Sequence, residues 1–158
     1  MGAATSKERL ALLGAAFEAG IRHFDTAPYY GYGEAERILG DFVAGRREQV
    51  TITTKFGIQA PALVKSRMVN LMARRILRVF PFVRKALSRK AQNLSKKGAF
   101  TPAEARRSLD QSLTALKTDH IDLFLLHEPT YADAASEEMQ QFLEAEVKHG
   151  RIRAFAGG

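Results

Sequence analysis

Hydrophobic and polar positions along the chain follow two periods in turn. From Thr5 the repeat is helical, with Leu10, Leu13 and Phe17 on one face beside the small Ala15 and Ala16. Thr5-Ser6-Lys7-Glu8 opens this helix as a capping box, and Gly20 is placed to stop it. The period drops to two over residues 21–26, which predicts a short strand. A second helix is predicted over 34–44, with Ile38, Leu39 and Phe42 inward and Gly45 behind it. Residues 50–55 are rich in β-branched side chains and read as a second strand. Thr101-Pro102-Ala103-Glu104 then combines a capping box with proline at the first helical position, and Ala105, Leu109, Leu113 and Leu116 continue that helix. The run 121–126 is almost wholly apolar, the mark of a strand buried on both faces. Met139, Phe142, Leu143 and Val147 form a last helical stripe before Gly150, and residues 152–156 begin a fourth strand.

Four strands, each reached through a helix, start near residues 21, 50, 121 and 152. The outer spacings match a βαβ unit of about 30 residues, and the middle one matches once an insert at about 58–98 is set aside. Regular alternation predicts an α/β fold with a parallel sheet, either closed as a barrel or open and doubly wound. Periodicity does not choose between them. No Gly-x-Gly-x-x-Gly follows a strand, which counts against a dinucleotide-binding open sheet.

Composition is that of a globular chain, 46% hydrophobic and 26% charged over 158 residues. Cysteine is absent, so disulfides, thiolate nucleophiles and thiolate metal sites are excluded, in keeping with a cytoplasmic protein. The net charge of +7 is concentrated: eleven Lys or Arg and no acid fall between Ile58 and Ala103, leaving thirteen bases against seventeen acids elsewhere. Within the insert, Val64, Met68, Leu71 and Leu77 alternate with Arg67, Arg74, Arg75 and Arg78, which predicts one or two basic amphipathic helices between about Pro61 and Asn93. Such a segment could lie on an anionic membrane surface or cover the mouth of the fold; the lid is the favoured reading. Nucleic acid is not expected, because the insert offers only Phe80 and Phe82 for stacking and no recognised motif.

In parallel β/α folds the reacting groups stand at the C-terminal ends of the strands. Here those positions hold Asp25, then Tyr29, Tyr30 and Tyr32, then Lys55, then His127. Singly, each has a structural explanation: a turn cap, loop packing, a solvated charge, a hydrogen-bonded imidazole. Three successive strands ending in ionisable groups on one rim are less easily explained so. The set is one for acid–base work, with no metal-ligand cluster.

The run from Gly20 to Glu36, which reads GIRHFDTAPYYGYGEAE, closely resembles the signature of the aldo-keto reductases, as do Thr54-Lys55-Phe56-Gly57 and Ile121-Asp122-Leu123-Phe124-Leu125-Leu126-His127. The resemblance covers nearly the whole chain outside the insert. It implies a (β/α)8 TIM barrel that reduces aldehydes or ketones with a nicotinamide cofactor, usually NADP(H), on small-molecule carbonyl substrates. By motif position it implies Asp25, Tyr30, Lys55 and His127 as the catalytic tetrad: Tyr30 as the acid, Lys55 lowering its pKa, Asp25 holding the lysine and His127 orienting the carbonyl.

A barrel of this kind needs eight β/α units and about 250 residues, and four units are present. The expectation is a partial barrel, the amino-terminal half, that keeps the tetrad and lacks the segments where the family holds its cofactor. No cofactor-binding residue is assigned, and a fragment of this kind is expected to be inactive alone. Its exposed sheet edges invite self-association. A non-catalytic interaction or membrane-associated protein on a reductase scaffold, acting through the basic insert, is the alternative.

Overall fold

A computed structural model describes residues 5–58 and 100–157. Helix α1 (Ser6–Glu18) leads into strand β1 (His23–Asp25), and a short α2 (Tyr30–Gly33) precedes α3 (Ala35–Val43). Strand β2 (Thr51–Phe56) follows, and then come α4 (Pro102–Leu116), β3 (Ile121–Leu126), a short α5 (Tyr131–Ala134), α6 (Glu137–Lys148) and β4 (Ile152–Gly157). The strands form one parallel sheet in the order β1-β2-β3-β4. This is the expected partial barrel architecture. The basic insert falls outside the described residues. Among the described residues no helix is long and apolar enough to cross a membrane.

Of the two predicted capping boxes, the one at Thr5 forms in full and the one at Thr101 by its hydroxyl half. The Thr5 hydroxyl accepts from the Glu8 amide, and the Glu8 carboxylate accepts from the Thr5 amide at 2.6 Å. At α4 Thr101 caps the Glu104 amide with Pro102 in the first turn, while the Glu104 carboxylate takes Arg107. Strand β1 begins two residues later than expected. Gly20, at φ +94°, turns the chain so that the Ile21 amide returns to the Ala16 carbonyl and belongs to the helix cap rather than the strand.

Phe24, Ile52, Phe56, Phe124 and Leu126 face the helices and meet Leu39, Phe42 and Val43 of α3, Leu109 and Leu116 of α4, and Met139 and Leu143 of α6. Phe56 stacks on Phe124 with centroids 5.1 Å apart. Leu10, Leu13 and Phe17 of α1 are only partly buried, because among the described residues β1 has a neighbouring strand on one side alone. Two helical stripes carry a buried carboxyl that the apolar pattern did not include. Glu146, not Val147, completes the buried stripe of Met139, Phe142 and Leu143, because Arg106 (3.0 Å) and Arg151 (3.2 Å) pair with its carboxylate. Val147 is 36% exposed.

Likewise Glu36 heads the buried stripe of Leu39, Gly40 and Val43, where its carboxyl accepts from the Thr54 hydroxyl at 2.7 Å and faces Ser112. Burial raises its pKa above the ordinary 4.5, against the opposing hydrogen bond from Thr54 and the influence of the nearby Ser112 hydroxyl. A carboxyl with a raised folded-state pKa binds protons more readily when folded, so stability falls as pH rises above about 4.5. Glu36→Gln keeps an acceptor for Thr54 and removes the ionisation. Its Tm is expected to exceed that of the parent at pH 8, with the gap closing towards pH 4; a constant gap across that range would show that Glu36 is not titrating.

Helices α3 and α4 approach at Gly40, where a β-carbon would lie 2.5 Å from the Ala115 carbonyl oxygen and 2.8 Å from Leu116 Cα. These are backbone atoms and cannot rotate aside. Gly40→Ala is expected to cost about 1–3 kcal/mol, read as a lower urea midpoint. An unchanged midpoint would mean the two helices can separate freely.

Candidate active site

Asp25 is the last residue of β1, Lys55 the penultimate residue of β2, and His127 follows β3 directly. Register pairs Asp25 with Thr53 and Lys55 with Leu125, so all three stand at the C-terminal end of the sheet. Phe24, Ile52, Phe56 and Phe124 face the helices, and strand alternation therefore turns Asp25, Lys55 and Leu125 to the opposite face. The His127 amide continues the ladder by donating to the Phe56 carbonyl at 2.8 Å. At Glu128 the backbone turns left-handed (φ +54°), a conformation uncommon outside glycine and asparagine, and leaves the sheet there.

The four expected site residues come together. The Lys55 ammonium, on a side chain only 13% exposed, donates to the Asp25 carboxylate and to the Thr26 carbonyl at 3.2 Å. Its third proton position remains for another acceptor. Tyr30 enters from the start of α2, its amide donating to the Ala27 carbonyl at 3.0 Å. Its ring centroid lies 5.1 Å from the Lys55 Nζ and 6.2 Å from the His127 ring, which it meets edge-on at 84°. Tyr29 packs against Tyr30 at 5.9 Å, as a loop-packing residue would.

Burial holds the His127 pKa below the ordinary 6.5, and the Lys55 ammonium lowers it further against the opposing pull of Glu128 and Asp25. The imidazole is therefore neutral at physiological pH and offers one N–H. The Tyr30 ring thus neighbours both an ammonium and a neutral imidazole, and the ammonium is backed by one carboxylate. The arrangement can donate hydrogen bonds to an oxygen and deliver it a proton. Sequence patterning did not reveal the Thr26 carbonyl as a second acceptor for Lys55, since backbone atoms carry no residue signal. It also missed Glu36, whose helical spacing to Leu39, Gly40 and Val43 was the available clue.

The pattern of the aldo/keto reductase family matches residues 2–156. Among curated proteins, the chain is 33% identical over 132 residues to a D-threo-aldose 1-dehydrogenase of a Pseudomonas species, covering 83% of this chain and 37% of that one. To a pyridoxal 4-dehydrogenase of Microbacterium luteolum it is 35% identical over 128 residues, 78% of this chain and 35% of the other. Among solved structures, an aldo-keto reductase from Pseudomonas aeruginosa superposes with a TM-score of 0.70 at 27% identity, over 98% of this chain and 48% of its own. The chain thus spans less than half the length of these relatives. With the fold, the three motifs and the family match in agreement, this chain belongs to the aldo/keto reductase family.

Proposed function

We propose that this chain carries the proton-transfer half of an NAD(P)H-dependent carbonyl reductase, with Asp25, Tyr30, Lys55 and His127 as its catalytic groups. The observation that carries the reading is the convergence of Tyr30, Lys55 and His127 on one rim. None of these side chains can release two electrons, and the chain has no cysteine, so the donor set fits a reaction whose reductant is a bound co-substrate. A nicotinamide, when bound, would supply the hydride for the carbonyl carbon.

The chain's own residues do the rest. The His127 N–H and the Tyr30 hydroxyl donate to the carbonyl oxygen and fix its orientation. As negative charge develops on that oxygen, Tyr30 passes it the phenolic proton. A free phenol titrates near pH ~10, too weak an acid at neutral pH without help. The Lys55 ammonium favours the phenolate that forms, and Asp25 with the Thr26 carbonyl keeps Lys55 in place. The substrate class is small aldehydes or ketones, and the setting the cytoplasm. The whole chain forms one partial barrel domain with an insert at about 58–98.

A complete barrel, made by joining residues 1–158 to the remaining units of a relative, tests the reading. With cofactor deuterated at the transferred position, the alcohol product is expected to carry one deuterium on its carbinol carbon. Unlabelled alcohol would refute hydride transfer at this site. The 158-residue polypeptide by itself is expected to bind NADPH weakly and to turn over little.

A further inference from the structure

Behind the candidate site, the helix-facing side of the sheet carries a polar cluster among core side chains. Glu36, in the first turn of α3, is 5% exposed, and Thr54 of β2 and Ser112 of α4 are fully buried. The Thr54 hydroxyl donates to Glu36 Oε1 at 2.7 Å. Thr54 and Lys55 are successive residues of β2, so strand alternation turns the first towards the helices and the second to the opposite face. A leucine of similar volume would fill the Glu36 position without the cost of desolvating a carboxyl. Stability gives no reason for a carboxyl there; placement does.

What is placed is Tyr30. Its carbonyl accepts from the Glu34 amide, and the Glu34 carbonyl accepts from the Ile38 amide at 3.0 Å, so α2 is bonded directly to the start of α3. The two helices also touch: a β-carbon on Gly31 would lie 3.7 Å from Ala35 Cβ. A shift of the first turn of α3 along β2 is therefore carried to Tyr30. The Lys55 Nζ, 5.1 Å from the Tyr30 ring centroid, belongs to the residue next to the one that holds that turn.

We infer that Glu36 is a positioning residue, whose bond to Thr54 locks α3 against β2 and so sets the distance between the Tyr30 ring and the Lys55 ammonium. It acts through the two elements that carry the reacting groups. Its consequence for turnover rests on the reaction proposed above; its geometry does not.

Nuclear magnetic resonance of the 158-residue chain tests the geometry. Cross-relaxation between the Tyr30 ring protons and the Lys55 ε-methylene is expected in the parent. Glu36→Leu is expected to lose it with the β1 and β3 amide shifts unchanged. Glu36→Gln, whose side-chain carbonyl still accepts from Thr54, is expected to recover it. Thr54→Val removes only the donor and is expected to match the leucine variant, which keeps the test readable should leucine at 36 not fold. A contact that survives either Glu36→Leu or Thr54→Val would overturn the proposal. So would its loss in Glu36→Gln, or a loss seen only together with changed strand shifts. In the complete barrel, Glu36→Leu is expected to lower kcat by about 10²-fold, the scale of an ångström misplacement, while NADPH affinity holds. Weaker NADPH binding at unchanged kcat would overturn the proposal too. A parent barrel without turnover would instead refute the reaction, since the resonance measurement needs none.

Discussion

In a complete barrel that carries these residues, Tyr30→Phe is expected to lower turnover by about 10²- to 10⁴-fold, the range spanned by general acid catalysis. The substitution removes one oxygen and leaves the ring that packs on Tyr29 and His127. NADPH affinity should therefore hold while kcat falls, which separates a lost proton donor from a lost site. Lys55→Met should give a comparable defect, because the negative charge left on the phenol after proton transfer loses its neighbouring ammonium. Cofactor fluorescence titration and steady-state rates on a simple aldehyde read both quantities. Turnover that survives Tyr30→Phe would leave the fold standing and remove the acid from the mechanism.

Asp122→Ala is expected to destabilise the fold by about 3–5 kcal/mol, the scale for stranding one member of a buried ion pair. Asp122 is 9% exposed and stands near the start of β3. One carboxylate oxygen accepts from the Arg47 guanidinium at 2.7 Å and from the Ile52 amide at 2.8 Å; the other lies 3.1 Å from Arg153. Arg47, its side chain 14% exposed, also donates to Thr118, to the Val50 carbonyl and to the His120 carbonyl. Truncation leaves the buried guanidinium without its counter-charge and the Ile52 amide without its acceptor. Asp122→Asn keeps an acceptor for Ile52 and should lose less, which provides a readable variant where the alanine fails to fold. Urea unfolding at fixed protein concentration measures both. A loss below about 1 kcal/mol for the alanine would place the network among ordinary surface pairs.

The fold and the chemistry were legible in the sequence to different depths. Strand and helix order came through because burial here follows period: Ile121, Phe124 and Leu126 are buried in a nearly continuous apolar run, as read. The candidate site could be located because parallel topology brings strand ends to one rim, so Asp25, Lys55 and His127 needed only their strands to be found, while Tyr30 was singled out from Tyr29 and Tyr32 by the family resemblance. What periodicity could not show were the charges inside. Glu36 and Glu146 occupy core positions because Thr54, Ser112, Arg106 and Arg151 reach them from other elements, and such partners are set by three-dimensional neighbourhood rather than spacing. Asp122, within a run read as buried on both faces, belongs to the same class. The left-handed Glu128 is a further case, since no glycine announces the turn.

The bond between the Ile52 amide and Asp122 spans 70 residues of sequence. During synthesis on the ribosome, β1 and β2 emerge before β3 and are near enough in the chain to pair at once. The Ile52 amide and the Arg47 donors that reach Thr118, His120 and Asp122 must then wait, met only by water, until translation has passed through the long connection and delivered β3. The nascent two-stranded unit is therefore an unfinished species with a lifetime set by elongation rate, and slow codons between residues 56 and 122 would prolong it. Aggregation during expression, rather than the equilibrium stability of the finished chain, is where such a delay would be felt.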